Sequence, residues 1–310
     1  MACHPRIESK TRASFLTTRC RNYEMWFANN VLVENAILGF AAKYSERYGT
    51  KLYALALEGN HIQGPAHFPN GNRADFMRDF NSNTARAVAR YTGHYPGGRL
   101  FGRRYSNEFL SRNQDIEEYF FYTVLQPIQD GLVPKLSEYP FYNCFNDAVK
   151  GIGRKVTVIN WTGYYIKKRY NKSTTIKEFT ETYILKYPRL PGYEHLTQKE
   201  YSNLMHQKLE ERRIEIVRQR LAEGKGFVGR EKLLQVVPGT PAKNPKKSTR
   251  ESHRPRVLSK CPVAREEDKA WYFDKYFAYN YASKLYREGD LTVKFPDGMY
   301  PPYRRCELPP

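Results

Sequence analysis

Apolar and polar positions along the first 148 residues follow two alternating periods, which divide this stretch into seven elements. Residues 13 to 19, ASFLTTR, carry the β-branched and aromatic content of a strand. From about 29 to 48, Val33, Ile37, Phe40, Tyr44 and Tyr48 recur at helical spacing, and Gly49 is suited to cap that helix. KLYALAL, 51 to 57, predicts a second strand, and the segment around His61, Ile62 and Gln63 a third, with the Gly59-Asn60 turn between them. Alternate side chains of a strand share a face, so His61 and Gln63 project together while Ile62 points to the core. A second amphipathic helix is predicted over about 72 to 92. Phe76, Phe80, Ala87 and Tyr91 face inward on it, and Arg78, Arg86 and Arg90 face solvent. GGRLFGRRYSNEFL, 97 to 110, reads as a glycine-opened, arginine-rich strand. A third helix starts near Asn113, carries Asp115, Glu117 and Glu118 at its positive end, and runs to about Gln126, where Pro127 stops it. The order β-α-β-β-α-β-α is the split βαβ pattern of an α+β, ferredoxin-like antiparallel sheet with helices on one face.

Beyond residue 148 the pattern changes. TTIKEFTETYILKYP (174–188) and LTQKEYSNLMHQKLEERRIEIVRQRLAEG (196–224) read as helical, so 149–237 is expected to be a mainly helical, basic extension. Residues 238–264 are rich in Pro, Lys and Arg and poor in large apolar residues, as expected of a mobile basic linker. Residues 265–310 comprise an aromatic helix and a Pro-rich tail. EGKGFVG, 223 to 229, lacks the spacing and the Lys-Ser/Thr ending of a phosphate-binding loop, so no nucleotide cofactor is expected.

Charge narrows the class of partner. The 310 residues carry 51 Lys+Arg against 32 Asp+Glu, a formal net charge of +19. Such a charge repels itself in a compact chain, and an anionic partner is its natural complement. The 25 tyrosines are interleaved with basic residues in segments such as YYIKKRYNK (164–172). That mixture suits a surface that neutralises phosphates and stacks unpaired bases. Arg78, Arg86, Arg90, Arg99, Arg103 and Arg104, with Lys243, Lys246 and Lys247, form a collective phosphate footprint. The five cysteines are scattered without a CxxC pair, which argues against a zinc ribbon or a disulfide scaffold. No apolar run approaches the roughly 18 residues that span a bilayer, and the N-terminus has no apolar signal region. A soluble, cytoplasmic, nucleoid-associated protein, monomer or homodimer, is expected.

Two further side chains give His61 and Gln63 a context. Tyr122 and Gln126 are four apart and would share one helix face, with Glu118 one turn earlier. Ile116, Phe120 and Val124 form a separate apolar row that would dock the helix on the sheet.

These segments resemble the REP-associated tyrosine transposases, relatives of the IS200-like single-tyrosine transposases in the HUH endonuclease superfamily. YALALEGNHIQGPAHFP, FMRDFNSNTARAVARYTG, GRLFGRRYS and YFFYTVLQPIQDGLVPKLSEYPFYN occur in the family's order and at about its spacing, over residues 12 to 148. The family's Pro-Asn-His-hydrophobic-His strand corresponds to Gly59-Asn60-His61-Ile62-Gln63. Its catalytic helix corresponds to Phe121 through Pro127 and on to Gly131-Leu132-Val133. The resemblance implies a single-stranded DNA endonuclease and strand transferase acting on hairpin DNA, with Tyr122 attacking phosphate to leave a 5'-phosphotyrosine. It also implies Mg²⁺ or Mn²⁺ held by His61, Gln63 and Gln126. Where Gln63 stands, typical members have His. An amide oxygen is a weaker, neutral ligand, though hard ions accept oxygen readily, and some viral replication initiators of the superfamily carry a similar His-x-Gln. His67 shares the parity of His61 and Gln63, but Pro65 is expected to end the strand before it, while Glu58 and Asn60 read as structural and turn residues. The alternatives are a catalytically degenerate, hairpin- or sequence-specific DNA-binding protein, and a replication initiator or relaxase.

Overall fold

In the computed structural model, which describes residues 5 to 243 and 257 to 303, β1 (Ala13–Arg19) is the centre of an antiparallel sheet. It pairs on one edge with β4 (His61–His67) and on the other with β5 (Ser106–Leu110). Beyond β4, β2 (Lys51–Leu52) and β3 (Ala56–Glu58) both pair with its outer edge. The single strand expected over 51–57 is therefore interrupted. Its chain bends over Gly64, where an added Cβ would lie 2.1 Å from the Ala54 carbonyl oxygen, and Leu55 N–H turns to Cys144 Sγ at 3.3 Å. β4 continues through Pro65 rather than ending there. The Pro65 carbonyl accepts from Tyr53 N–H at 2.9 Å, so the proline's missing donor faces this interrupted edge, where it costs least.

Register assigns the faces. Phe15 lies opposite Pro65 and Glu108, Thr17 opposite Gln63 and Ser106, and Arg19 opposite His61, so all of these share one face. Leu16 and Ile62 lie on the other, against Ala41, Phe76, Met77 and Phe80 of α1 (Val31–Tyr48) and α2 (Arg73–Tyr91). α1 is delimited by an Asn30 side chain accepting from Val33 N–H and by Gly49 at φ 65°. α3 (Asn113–Val124) crosses to the first face, where Tyr119 packs on Phe15 with ring centroids 4.9 Å apart. The split βαβ sheet is thus covered by α1 and α2 on one side and by α3 on the other.

Pro127 does not end this helical region. The helix is interrupted at Leu125 (φ −89°, ψ 0°) and restarts as α4 (Gln126–Gln129), whose first turn tolerates proline because that N–H has no intrahelical partner. Residues 97 to 105, expected to be extended, contain only a bridge from Phe101 to Cys20 before β5 begins.

After α5 (Phe145–Lys150) the chain forms a two-stranded ribbon of β6 (Arg154–Ile159) and β7 (Thr180–Leu185), with α6 (Trp161–Tyr170) between them. The helix expected over 174–188 is thereby replaced by a single 3-10 turn and a strand. TETYIL alternates and is β-branched, and pairing with β6 outweighs its weak helical period. The ribbon lies on α1 at Gly39, where an added Cβ would meet Thr157 O and Val158 Cγ2 at 2.8 Å. The core continues without a break through Val149, Val156, Leu185, Tyr201 and Met205. α7 (Gln198–Ala222) starts with a Thr197–Glu200 capping box and runs along α3, joined by Lys208–Glu117 and Arg212–Glu118 pairs at 2.7 Å. α8 (Arg230–Leu234) follows. Pro241 bridges Glu24 and Val257 bridges Phe109, so the described ends of the 238–264 segment are docked rather than mobile; Lys246 and Lys247 lie outside the described residues. α9 (Pro262–Glu288) is held by Asp268, which accepts from Arg12 at 2.8 Å and Ser111 at 2.5 Å.

Candidate active site and nucleic-acid surface

His61 and Gln63 occupy alternate positions of β4 on the face covered by α3, and both are buried. Gln126, also buried, reaches that face from the first turn of α4. Gln63 Nε2 donates to Gln126 Oε1 at 2.9 Å, and Gln126 Nε2 donates to Asp130 Oδ2 at 2.8 Å. The direction of this chain follows from its last member. A carboxylate only accepts, so the Gln126 amide turns its NH₂ to Asp130 and its oxygen to Gln63. Gln63 must then donate, which leaves its own carbonyl oxygen as its lone-pair atom. A parallel argument fixes His61. Asn60 Nδ2 donates to the Tyr23 carbonyl at 3.1 Å, which turns Asn60 Oδ1 to His61 Nδ1 at 2.8 Å. The Nδ1 position then carries a proton, and in the neutral ring Nε2 bears the lone pair. Asn60, read from sequence as a turn residue, thus also orients His61.

This donor set suits a divalent ion that accepts mixed nitrogen and oxygen ligands. His61 Nε2 and Gln63 Oε1 are groups that could hold one, and Gln126 Oε1, which accepts from Gln63, keeps a second lone pair beside them. Among the described residues no group of three His, Cys, Asp or Glu side chains is placed to hold a metal ion. Glu58, Asn60, His61, Asp130 and Arg19 line a cleft of about 290 Å³. Glu58 lies opposite His61 across the β3–β4 hairpin, and Arg19 opposite it across β1. Alternation in ASFLTTR makes Arg19 a partner of Phe15 and Thr17, but its place beside His61 required the strand register. Asp130 had no sequence signal beyond its spacing from Gln126.

Tyr122 lies over the neighbouring part of β1. Its ring meets Phe15 edge-on at 5.7 Å and Tyr119 at 5.7 Å, and it is 38% exposed. Burial pushes its hydroxyl pKa above the ordinary value, and the charges of Asp130, Glu58 and Glu108 push the same way, against Arg19. The phenol is therefore neutral at physiological pH. Glu118 faces elsewhere, held by Arg212 at 2.7 Å and Lys260 at 2.8 Å. His67, at the far end of β4, meets the Lys10 carbonyl at 2.7 Å.

The arginines divide into two groups. Arg99, Arg103 and Arg104 are exposed on the loop beside the His61 end of β1, where Arg21 N–H donates to Leu100 O and Gly102 N–H to Arg19 O. Arg78, Arg86 and Arg90 lie on α2, with the sheet between them and Tyr122. Arg78 is paired with Asp75 at 2.6 Å and Asp79 at 2.9 Å, and Arg90 covers Trp161. No helix of the described residues is long and apolar enough to cross a membrane.

No protein-family model matches the sequence, and no curated protein matches it. Among solved structures, the chain is similar to a REP-associated tyrosine transposase bound to a REP hairpin, at 17% identity and a TM-score of 0.38, over 46% of this chain and 81% of that one. It is also similar to a provisionally assigned transposase of Deinococcus radiodurans R1, at 17% identity and a TM-score of 0.28, over 36% of this chain and 89% of that one.

Proposed function

We propose that the chain is a single-stranded DNA endonuclease and strand transferase that cleaves hairpin DNA through Tyr122. The observation that carries this reading is the 2.9 Å hydrogen bond from Gln63 to Gln126. It joins the strand and helix halves of the motif, separated by 63 residues, at one place in the fold. In the reaction, Tyr122 Oη forms a bond to phosphorus as the bond to the 3'-oxygen breaks. The phenol proton is lost to solvent and the leaving oxygen gains one, so the product is a 5'-phosphotyrosine and a free 3'-hydroxyl. His61 and Gln63, with Gln126 beside them, would hold a Mg²⁺ or Mn²⁺ ion, which when bound would neutralise charge on the non-bridging oxygens. Arg19, on the same sheet face, and the loop arginines Arg99, Arg103 and Arg104 bind flanking phosphates. Tyr122 stays protonated until substrate arrives, which restrains it from reacting elsewhere. Because the ester is conserved in the covalent link, the step is reversible and supports rejoining.

The neutral amide at position 63, where typical members of the resembled family have His, supports a second reading: a hairpin-binding protein without nuclease activity. One experiment separates them. Incubating the chain with single-stranded hairpin DNA from the flanks of its own gene and Mn²⁺ yields a covalent protein–DNA adduct that Tyr122→Phe abolishes. Tight binding of those hairpins with no adduct would instead establish the binding protein.

A further inference from the structure

Across the sheet from Tyr122, a groove of about 560 Å³ runs between α1, α2, β6 and α6. Lys43, Arg47, Arg86 and Arg90 line it, and among the described residues no carboxylate does. Its floor is aromatic: Trp161 and Tyr165 stack at 5.8 Å with their planes 25° apart. The Arg90 guanidinium lies 4.1 Å over Trp161 and donates to Tyr165 Oη at 3.1 Å, while Trp161 Nε1 donates to Tyr91 Oη at 3.2 Å. The rings are therefore held in place before any ligand arrives, and Tyr165 remains 48% exposed. Lys43 and Arg47 are partly compensated by Glu181 at 2.5 Å and Asp79 at 3.6 Å. Arg86 makes no hydrogen bond or ion pair among the described residues and stands one helical turn from Arg90.

We propose that this groove is a second nucleic-acid site, which takes an unpaired segment of single-stranded DNA. A base stacks on the exposed Tyr165 side of the aromatic pair, and the adjoining phosphates meet Arg86 and the Lys43–Arg47 wall. A duplex buries its base faces and cannot use the rings, whereas every unpaired base presents one. An acidic peptide would use the cations and leave the aromatic floor without a role. The site lies on the face opposite Tyr122, so it would hold a strand away from the point of cleavage. It rests on the nucleic-acid part of the proposed function and is independent of the chemistry at Tyr122.

The test measures binding alone, with the full chain carrying Tyr122→Phe so that no adduct forms. Fluorescence anisotropy is recorded with labelled oligothymidylate and with a DNA duplex of the same length. Adding Tyr165→Ala is expected to weaken oligothymidylate binding about tenfold and leave duplex binding nearly unchanged. Adding Arg86→Glu weakens it at least about tenfold and lowers the slope of log affinity against log salt by about one. Both side chains are exposed, so thermal melting should confirm an intact fold. Equal single-strand binding by parent and both variants overturns the proposal, as does a Tyr165→Ala loss of the same size on duplex. Competition by polyglutamate as effective as unlabelled oligothymidylate overturns it as well. Absence of an adduct with the unsubstituted chain would count against Tyr122 as a nucleophile and leave this result unaffected.

Discussion

At the scale of single residues, the candidate site depends on amide orientation. Gln63 offers an oxygen because Asp130 dictates which way Gln126 faces. Asparagine at 130 can donate or accept, so Asp130→Asn lets both glutamine amides turn over. The expected outcome is that the Mn²⁺ concentration for half-maximal adduct rises about tenfold, with the maximal yield retained at saturating metal. An unchanged metal dependence would show that Asp130 does not orient the donors. Gln63→His supplies a stronger ligand at the same position. It should lower the half-maximal Mn²⁺ concentration, whereas Gln63→Ala should raise it. The His61, Gln63, Tyr122 and Gln126 set was legible in the sequence through spacing and resemblance. Asp130, Asn60 and Arg19 were not, because each acts through a partner that only the fold identifies.

At the scale of elements, the β6–β7 ribbon and α1 depend on one another. Gly39 sits mid-helix, where alanine would normally be preferred, because β6 passes too close for a side chain. Gly39→Ala is expected to destabilise the chain by about 1–3 kcal/mol through overpacking, read as a lower urea midpoint. Stabilisation would mean that the ribbon yields freely. The same contact carries a pH dependence. The Lys43 ammonium, and next the Tyr183 hydroxyl, hold the Glu181 carboxyl below its ordinary value of 4.5. A depressed folded pKa means the contribution is fully present above that ordinary value and is lost as pH falls through the lowered one. Protection of the β7 amides, taken relative to their intrinsic exchange rate, should therefore fall on acidification below about pH 4.5, and Glu181→Gln should remove that part of the dependence. The helices α1, α2 and α7 were readable locally, as was the Gly49 cap of α1. β7 was not, since its state is decided by pairing with β6 some 20 residues away.

At the scale of the whole molecule, the chain carries a formal charge of +19, and the arginines placed above divide between two faces separated by the sheet. The loop arginines lie beside the His61 end of β1, and the α2 arginines adjoin the groove on the other side. If the charge is a phosphate footprint, affinity for hairpin DNA should fall at least about a hundredfold between roughly 50 and 200 mM salt. A change of less than about threefold would mean the basic surface does not engage phosphates. In sequence the arginines form one collective phosphate footprint. Their division appears only in the fold, because arginines alike in type can be separated by a whole layer of structure.

What the sequence alone determined is what short-range physics controls. Strand alternation put His61 and Gln63 on one face, helical spacing located α1, α2 and α7 with Gly49 capping the first, and composition pointed to an anionic partner. Only the tertiary structure decided which face α3 covers, that Gln126 meets Gln63 as an orienting partner, that residues 174–188 join a ribbon, and that Arg86 faces an aromatic groove. Each of these rests on contacts between residues distant along the chain. Their energies come from packing and hydrogen bonding that no local pattern records.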